Sequence, residues 1–199
     1  MYDFIDTMTG RYNTVDIWDV VNESFEDDGS YRNSIWHQAM GTDYISKAFV
    51  RARAGAPNAQ LIYNDYDIAW PGAKSDAAFA LVQLLINSGA PIDGIGFQMH
   101  VDTNFNQFDE VAVNLQRFAD LGLDIYITEF DVSMVDGGTA AQQADIFGQI
   151  TEICLAQASC KALQVWGIND RYSWRKPLDP LLLDENYHCL LYTSDAADE

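Results

Sequence analysis

Five short runs rich in Val, Ile and aromatic residues recur along the chain: "TVDIWDVVN", "AQLIYND", "IDGIGFQMH", "LDIYITEF" and "ALQVWGI". Each is preceded by a stretch with helical periodicity. Ile45, Ala48, Phe49 and Ala52 repeat at helical spacing after Thr42 as a candidate N-cap, and Gly55 with Pro57 stops that helix. "KSDAAFALVQLLINSG" behaves alike, with Ser75 to start it and Gly89 to end it. "FDEVAVNLQRFADLG" runs into Gly122, and "TAAQQADIFGQITEICLAQ" completes the set. Strands alternating with helices of this length predict parallel βαβ units and an α/β fold. The runs are apolar almost throughout, which fits a sheet covered on both faces by helices.

Polar residues gather at the ends of these runs and not at their starts: Glu23, Asn64 to Tyr66, Gln98 to His100, Glu129 to Asp131, Asn169 and Asp170. One shared rim is implied. A (β/α)8 barrel carries its chemistry at the C-terminal ends of its strands, whereas a doubly wound sheet binds ligands in a crevice, usually with a Gly-rich phosphate turn. The sequence has no GxGxxG or Walker pattern, so the barrel is preferred. Eight units typically need about 250 residues, and only five are visible.

The 199 residues are 48% hydrophobic and 13% aromatic, enough for a large core. No apolar run approaches the roughly 20 residues of a bilayer-spanning helix, and the opening "MYDFIDTMTG" lacks a basic leader and an apolar core of a signal peptide. No membrane association is implied. The net charge of −19 disfavours a nucleic-acid partner, because such a surface repels phosphates. Asp outnumbers Glu 23 to 7, which reads foremost as a solvated, repulsive surface. His37, His100 and His188 are scattered, and no HExxH or CxxC spacing exists, so neither a metal nor another cofactor is called for. Nothing implies an obligate protein partner.

Cys154 and Cys160 bracket "CLAQASC" at the end of the last helical stretch. Six residues of unbroken helix would separate their Cα atoms by about 9 Å, beyond disulfide reach, so pairing requires the helix to stop at about Gln157 to Ser159. The two alternatives are a disulfide, which would indicate an oxidising compartment, and two free thiols.

Glu23 and Glu129 end the first and fourth visible strands, which would set two carboxylates across one barrel mouth. A retaining glycosidase needs such a pair, one to protonate the leaving oxygen and one to attack the anomeric carbon. Either Glu alone would more simply be a solvated loop charge.

In order, "WDVVNE", "YNDY", "DGIGFQMH", "ITEFDV" and "VWGINDRYSWR" resemble the signatures of glycoside hydrolase family ten, from about Ile5 to Tyr187. The resemblance implies a partial (β/α)8 barrel, strands four to eight, and retaining endo-hydrolysis of β-1,4 bonds in xylan or xylo-oligosaccharides. It implies Glu23 as acid/base and Glu129 as nucleophile. It places Asn22 on the 2-hydroxyl of the cleaved sugar, Asn64 and Tyr66 on the leaving-group side, and Gln98 and His100 in the site. His100 is expected to bond Glu129 and Asp131 to orient His100, with Trp166 and Trp174 stacking on sugar rings. The Cys154–Cys160 pairing also falls where many relatives carry a disulfide, and a secreted or periplasmic enzyme is the corresponding expectation. A catalytically dead glycan-binding chain and a retaining β-glucanase are the alternatives.

At the lip of an apolar strand, Glu23 is expected to be partly desolvated and to keep a raised pKa, while Glu129 stays ionised. Gln98 and His100 alternate along their strand, so both are expected to face the barrel with Met99 towards the helices. The family's first three βα units have no counterpart in the chain. Their loss predicts two open sheet edges and uncovered apolar surface, and the 199-residue chain is expected to be unstable or to aggregate and to be nearly inactive. "CLLYTSDAADE", residues 189–199, resembles a translated sequencing adapter and is expected to be a non-native, poorly packed tail in which Cys189 has no partner.

Overall fold

The structure, a computed structural model, describes residues 1–189. In chain order its elements are α1 (Tyr2–Arg11), β1 (Ile17–Asn22), α2 (Ile35–Met40), α3 (Asp43–Gly55), β2 (Gln60–Asp65), α4 (Ala73–Asn87), β3 (Gly94–Phe97), β4 (His100–Asp102), α5 (Phe108–Ala119), β5 (Asp124–Ser133), α6 (Ala140–Ala156) and β6 (Cys160–Val165). Every pairing between these strands is parallel. β1 pairs with β2, β2 with β3, and β5 with β3, β4 and β6. All strand C-termini therefore share one rim, as the βαβ pattern predicted.

Strand periodicity divides the sheet into two unlike faces. Leu61 and Tyr63 of β2, Ile95 and Phe97 of β3, and Ile125 and Ile127 of β5 join one core with Ile45, Phe49, Leu81, Leu85, Leu115, Phe118, Ile146 and Ile150 of the helices. Burying each such large side chain contributes about 1.5–3 kcal/mol. The intervening residues on the opposite face are Ile62, Asn64, Gly94, Gly96, Tyr126 and Thr128. The helices thus cover one face, not both; near-continuous apolarity arises because the second face also carries Ile62 and Tyr126 among small and amide residues.

Helix limits follow local capping chemistry only in part. Thr139 caps α6 through a reciprocal capping box with Gln142, an arrangement that stabilises a helix start by about 1 kcal/mol. α3 starts after Thr42 as expected, although the Thr42 side chain makes no capping bond. α4 begins at Ala73, before Ser75. Ser75 is buried inside the first turn, where its hydroxyl donates to the Ile68 carbonyl and the Asn114 side chain, so it ties α4 to its neighbours and is not the cap.

α6 ends at Ala156 and Gln157 turns extended, which brings the Cys154 and Cys160 Cα atoms to 5.4 Å and joins them in a disulfide. β1 and β6 each have one strand neighbour among the described residues. Cys189 is exposed and unpaired; the remainder of the expected non-native tail, 190–199, lies outside the described residues.

Candidate active site

The rim is built by irregularities at the strand ends. β1 stops at Asn22 and the next residue, Glu23, takes a left-handed φ of 54°. A residue with a Cβ rarely adopts that conformation, so the surroundings must over-determine it. Here they do: Glu23 N donates to Asn64 O at 2.9 Å, Ser24 N to the Tyr63 hydroxyl at 3.2 Å, and Arg32 N to Ser24 O at 2.7 Å. Phe25, fully buried, anchors the loop. The expected third strand is broken in two at Met99, whose φ is 63°, and β4 resumes at His100. Gln98 and His100 reach the same site across that kink and not by regular alternation, while Met99 is buried in the core. Glu129 is not at a strand end. It sits inside β5, where the register with β6 slips between Ile127 and Phe130, a bulge of the kind that re-aims side chains beside active sites.

Glu23 and Glu129 line one cavity of about 590 Å³ with Arg32, Tyr66, Asp67, Gln98, His100, Trp166, Trp174 and Arg175. A chain of side-chain amides joins them. Gln98 Nε2 donates to Glu23 Oε1 at 3.0 Å and to Asn22 Oδ1 at 3.3 Å. Asn64 Nδ2 donates both to Asn22 Oδ1 and to Glu129 Oε1, each at 2.9 Å. Thr128 Oγ1 donates to Asn64 Oδ1 at 2.7 Å and so fixes which way the amide points. Gly96 leaves the room: a Cβ there would meet Asn64 Oδ1 at 2.3 Å.

Glu129, with a side chain only 12% exposed, also has His100 Nε2 at 3.3 Å from its Oε2. His100 Nδ1 lies 3.0 Å from Asp131 Oδ2, and that oxygen accepts from Trp174 Nε1 at 2.8 Å. Burial pulls the His100 pKa down, but Asp131 and Glu129 outweigh it and the net direction is upward. Asp131 itself is fully buried behind His100, so it orients that ring and does not face the cavity.

Glu23 has a different setting from the one expected. Burial pushes its pKa up, but the hydrogen bonds from Gln98 and Arg32 and the Arg32 charge outweigh it, and its carboxyl is held below the ordinary value. Arg32 Nη1 donates to Glu23 Oε2 at 2.7 Å and Arg32 Nη2 to the Tyr66 hydroxyl at 3.0 Å. The expectation of a raised pKa overlooked this cation, which arrives from the loop after β1 and has no periodic or motif signature in "GSYRNS".

Other assignments divide. Asn64 is fully buried beneath the two carboxylates with its amide engaged, so it braces the site and offers no leaving-group contact. Tyr66 does line the cavity. Asn22 is exposed along β1 and its Oδ1 is already occupied by Asn64 and Gln98. Trp166 and Trp174 are 44% and 60% exposed, leaving ring surface for a flat apolar partner. Beneath Glu23 lies a buried network that sequence reasoning missed. Lys74 Nζ pairs with Asp65 at 2.9 Å, Tyr63 donates to Asp65, and the Tyr63 hydroxyl receives Ser24 N. Lys74 sits in a helix start that otherwise reads as solvated, and only the fold brings it under Asp65.

The chain was compared with known proteins. Residues 1–191 match the family model described as Glycosyl hydrolase family 10. Endo-1,4-beta-xylanase B of Thermotoga neapolitana is 43% identical over 94% of the chain and 57% of its own length. Exoglucanase XynX of Acetivibrio thermocellus is 40% identical over 92% of the chain and 17% of its own length. The crystal structure of xylanase 10B from Thermotoga petrophila RKU-1 in complex with xylobiose superposes with a TM-score of 0.94 at 42% identity, covering 99% of this chain and 63% of that one. The chain thus spans little more than half the length of the first of these relatives, and its sheet forms part of a (β/α)8 barrel. By the match along almost its whole length, the chain belongs to glycosyl hydrolase family 10.

Proposed function

We propose that this site hydrolyses internal β-1,4 bonds of xylan or xylo-oligosaccharides with retention, Glu129 attacking the anomeric carbon and Glu23 acting as acid and then base. The observation that carries the reading is the single cavity onto which both glutamates open, bound to each other through Asn22, Gln98 and Asn64. In the first step the bond between the anomeric carbon and the glycosidic oxygen breaks as Glu129 forms an ester with that carbon, and the Glu23 proton goes to the departing oxygen, which leaves as a hydroxyl. In the second, Glu23 takes a proton from water as that water displaces Glu129. His100 and Asn64 keep Glu129 oriented throughout. Trp166 and Trp174 offer faces to the pyranose rings. The names of the xylanase relatives and the xylobiose bound to one structural neighbour support the substrate class.

A fluorinated xylobioside inactivator tests this directly: peptide mapping should find the adduct on Glu129, and a reversible complex without an adduct would favour a glycan-binding role. One relative named an exoglucanase gives a β-glucan substrate a specific motive; products from xylan and cellulose, compared side by side, decide between them. We also infer a secreted or periplasmic location, supported by the Cys154–Cys160 disulfide, which persists in oxidising compartments. Fractionation of the source cells, with the disulfide assayed in each fraction, tests it.

A further inference from the structure

We propose that Asp67 makes the groove beside the catalytic cavity selective for uncharged glycan, so that the groove takes neutral sugar units and turns away a chain bearing a uronic-acid branch there. The inference rests on the glycan-hydrolysing reading above and adds the ligand class.

Asp67 lines both the catalytic cavity and an adjoining one of about 320 Å³, a volume at the lower end of the roughly 300–1,000 Å³ usual for small-ligand sites. The second cavity runs past Trp70 and Phe105, half-buried rings whose centroids are 5.3 Å apart, with the side chains of Asn104 and Gln107 nearby. Aromatic faces flanked by amides suit the apolar faces and hydroxyls of a sugar ring.

Its charges are one-sided. Asp67 and Asp102 line it, and His100 is the sole basic side chain among its lining residues. The cations that act on Asp67 are His100, Lys74 and Arg175, and Asp27 adds a further negative charge. Each cation is already committed. Lys74 is buried against Asp65 at 2.9 Å, His100 lies between Glu129 and Asp131, and Arg175 faces Asp131 at 3.6 Å and donates to Ser133 Oγ at 3.2 Å. The N-terminus of α5, which opens just after Gln107, would attract an anion, but Asp109 and Glu110 fill its first turn. A carboxylate entering this groove meets like charge without an uncommitted partner. Asp67 stands at the corner between the two cavities, its backbone left-handed with a φ of 52° that Asp tolerates better than most residues.

The experiment uses the 199-residue chain and stopped-flow tryptophan fluorescence at pH 7.5 and low salt. Three probes are compared: a linear xylo-oligosaccharide, the same chain with a glucuronic-acid branch, and that branched chain as its methyl ester, which keeps the bulk and removes the charge. The expected result is that the ester binds at least about five-fold more tightly than the acid, the effect of one like charge at about 4 Å in a largely aqueous site. The ratio should approach one in Asp67→Asn and shrink in 0.5 M salt. Equal binding of acid and ester by the unaltered chain, or an unchanged ratio in Asp67→Asn, overturns the role of Asp67 while leaving the glycan-binding reading intact. Failure of the linear neutral probe to bind overturns both.

Discussion

The two carboxyl groups of the site live in opposite kinds of wall. Glu129 stands on β5, the strand with three strand neighbours, and its oxygens meet an amide and an imidazole that are themselves braced by Thr128, Asp131 and Trp174. Glu23 follows β1, which has one strand neighbour, and its side chain is 30% exposed and gripped by Arg32 from a loop. One group is oriented by a buried frame and the other is held by a charge at the edge. Proton affinity is the property most exposed to that difference, because the hydrogen bonds from Gln98 and Arg32 and the Arg32 charge together outweigh the desolvation of a half-solvated carboxyl. Orientation of Glu129 depends on packing; the proton affinity of Glu23 depends on Gln98 and Arg32 together.

The comparison breaks most severely where a buried charge is orphaned. Lys74→Met leaves Asp65 charged and without its partner under the Glu23 turn, and thermal and urea unfolding should show a loss of about 3–5 kcal/mol. Asp131→Ala tests the other wall: His100 and the Trp174 indole lose their shared acceptor, for an expected loss of about 2–3 kcal/mol. If Lys74→Met were as mild as a surface change, the edge wall would not depend on its buried pair.

A smaller effect concerns pH. Burial pushes the Asp170 carboxyl up to about 6. A carboxyl raised above its unfolded value binds a proton more readily when folded, so its contribution is present below about pH 4 and is lost as pH rises through about 6. His100, raised above its ordinary value, adds stability at low pH that is likewise lost as pH rises past its folded pKa. Glu23, lowered, works in the other direction, losing its contribution as pH falls through its depressed pKa. The melting temperature should therefore peak near pH 5 and decline towards pH 8, and Asp170→Asn should recover about 1–2 kcal/mol at pH 8. A flat profile from pH 5 to 8 would sink this.

Arg32→Met sharpens the contrast without unfolding the chain. The Glu23 carboxyl, followed by ¹³C NMR, should titrate at a higher pH than in the unaltered chain, because the Arg32 hydrogen bond and charge that lower it are gone. Asn22→Ala, which removes the acceptor shared by Gln98 and the buried Asn64 amide, should cost about 1 kcal/mol of stability.

How much of this could be read from the chain alone depended on whether the cause was periodic. The βα alternation, the amphipathic face of α3 and the common rim follow from repeats of 3.6 and 2, and the structure has them. The departures are all local. Met99 and Glu23 adopt left-handed backbones, Glu129 occupies a bulge, and Ser75 prefers the Ile68 carbonyl to a helix end. Arg32, Lys74 and Asp67 gain meaning from neighbours tens of residues away, and no spacing rule reports such meetings. The gathering of Glu23, Gln98, His100 and Glu129 was legible because strand ends must converge in a parallel sheet. The direction of the Glu23 shift was not, because besides Gln98 it draws on Arg32, a side chain from an irregular loop.

Gly96 shows how little material separates a working arrangement from a broken one. Where any other residue would put a first side-chain carbon, the Asn64 amide passes through. A single methyl at that point would displace the amide that ties Glu129 to Asn22, and the chain of amides between the two acids would lose a link. The bracing of Glu129 rests, in this protein, on an atom that is missing.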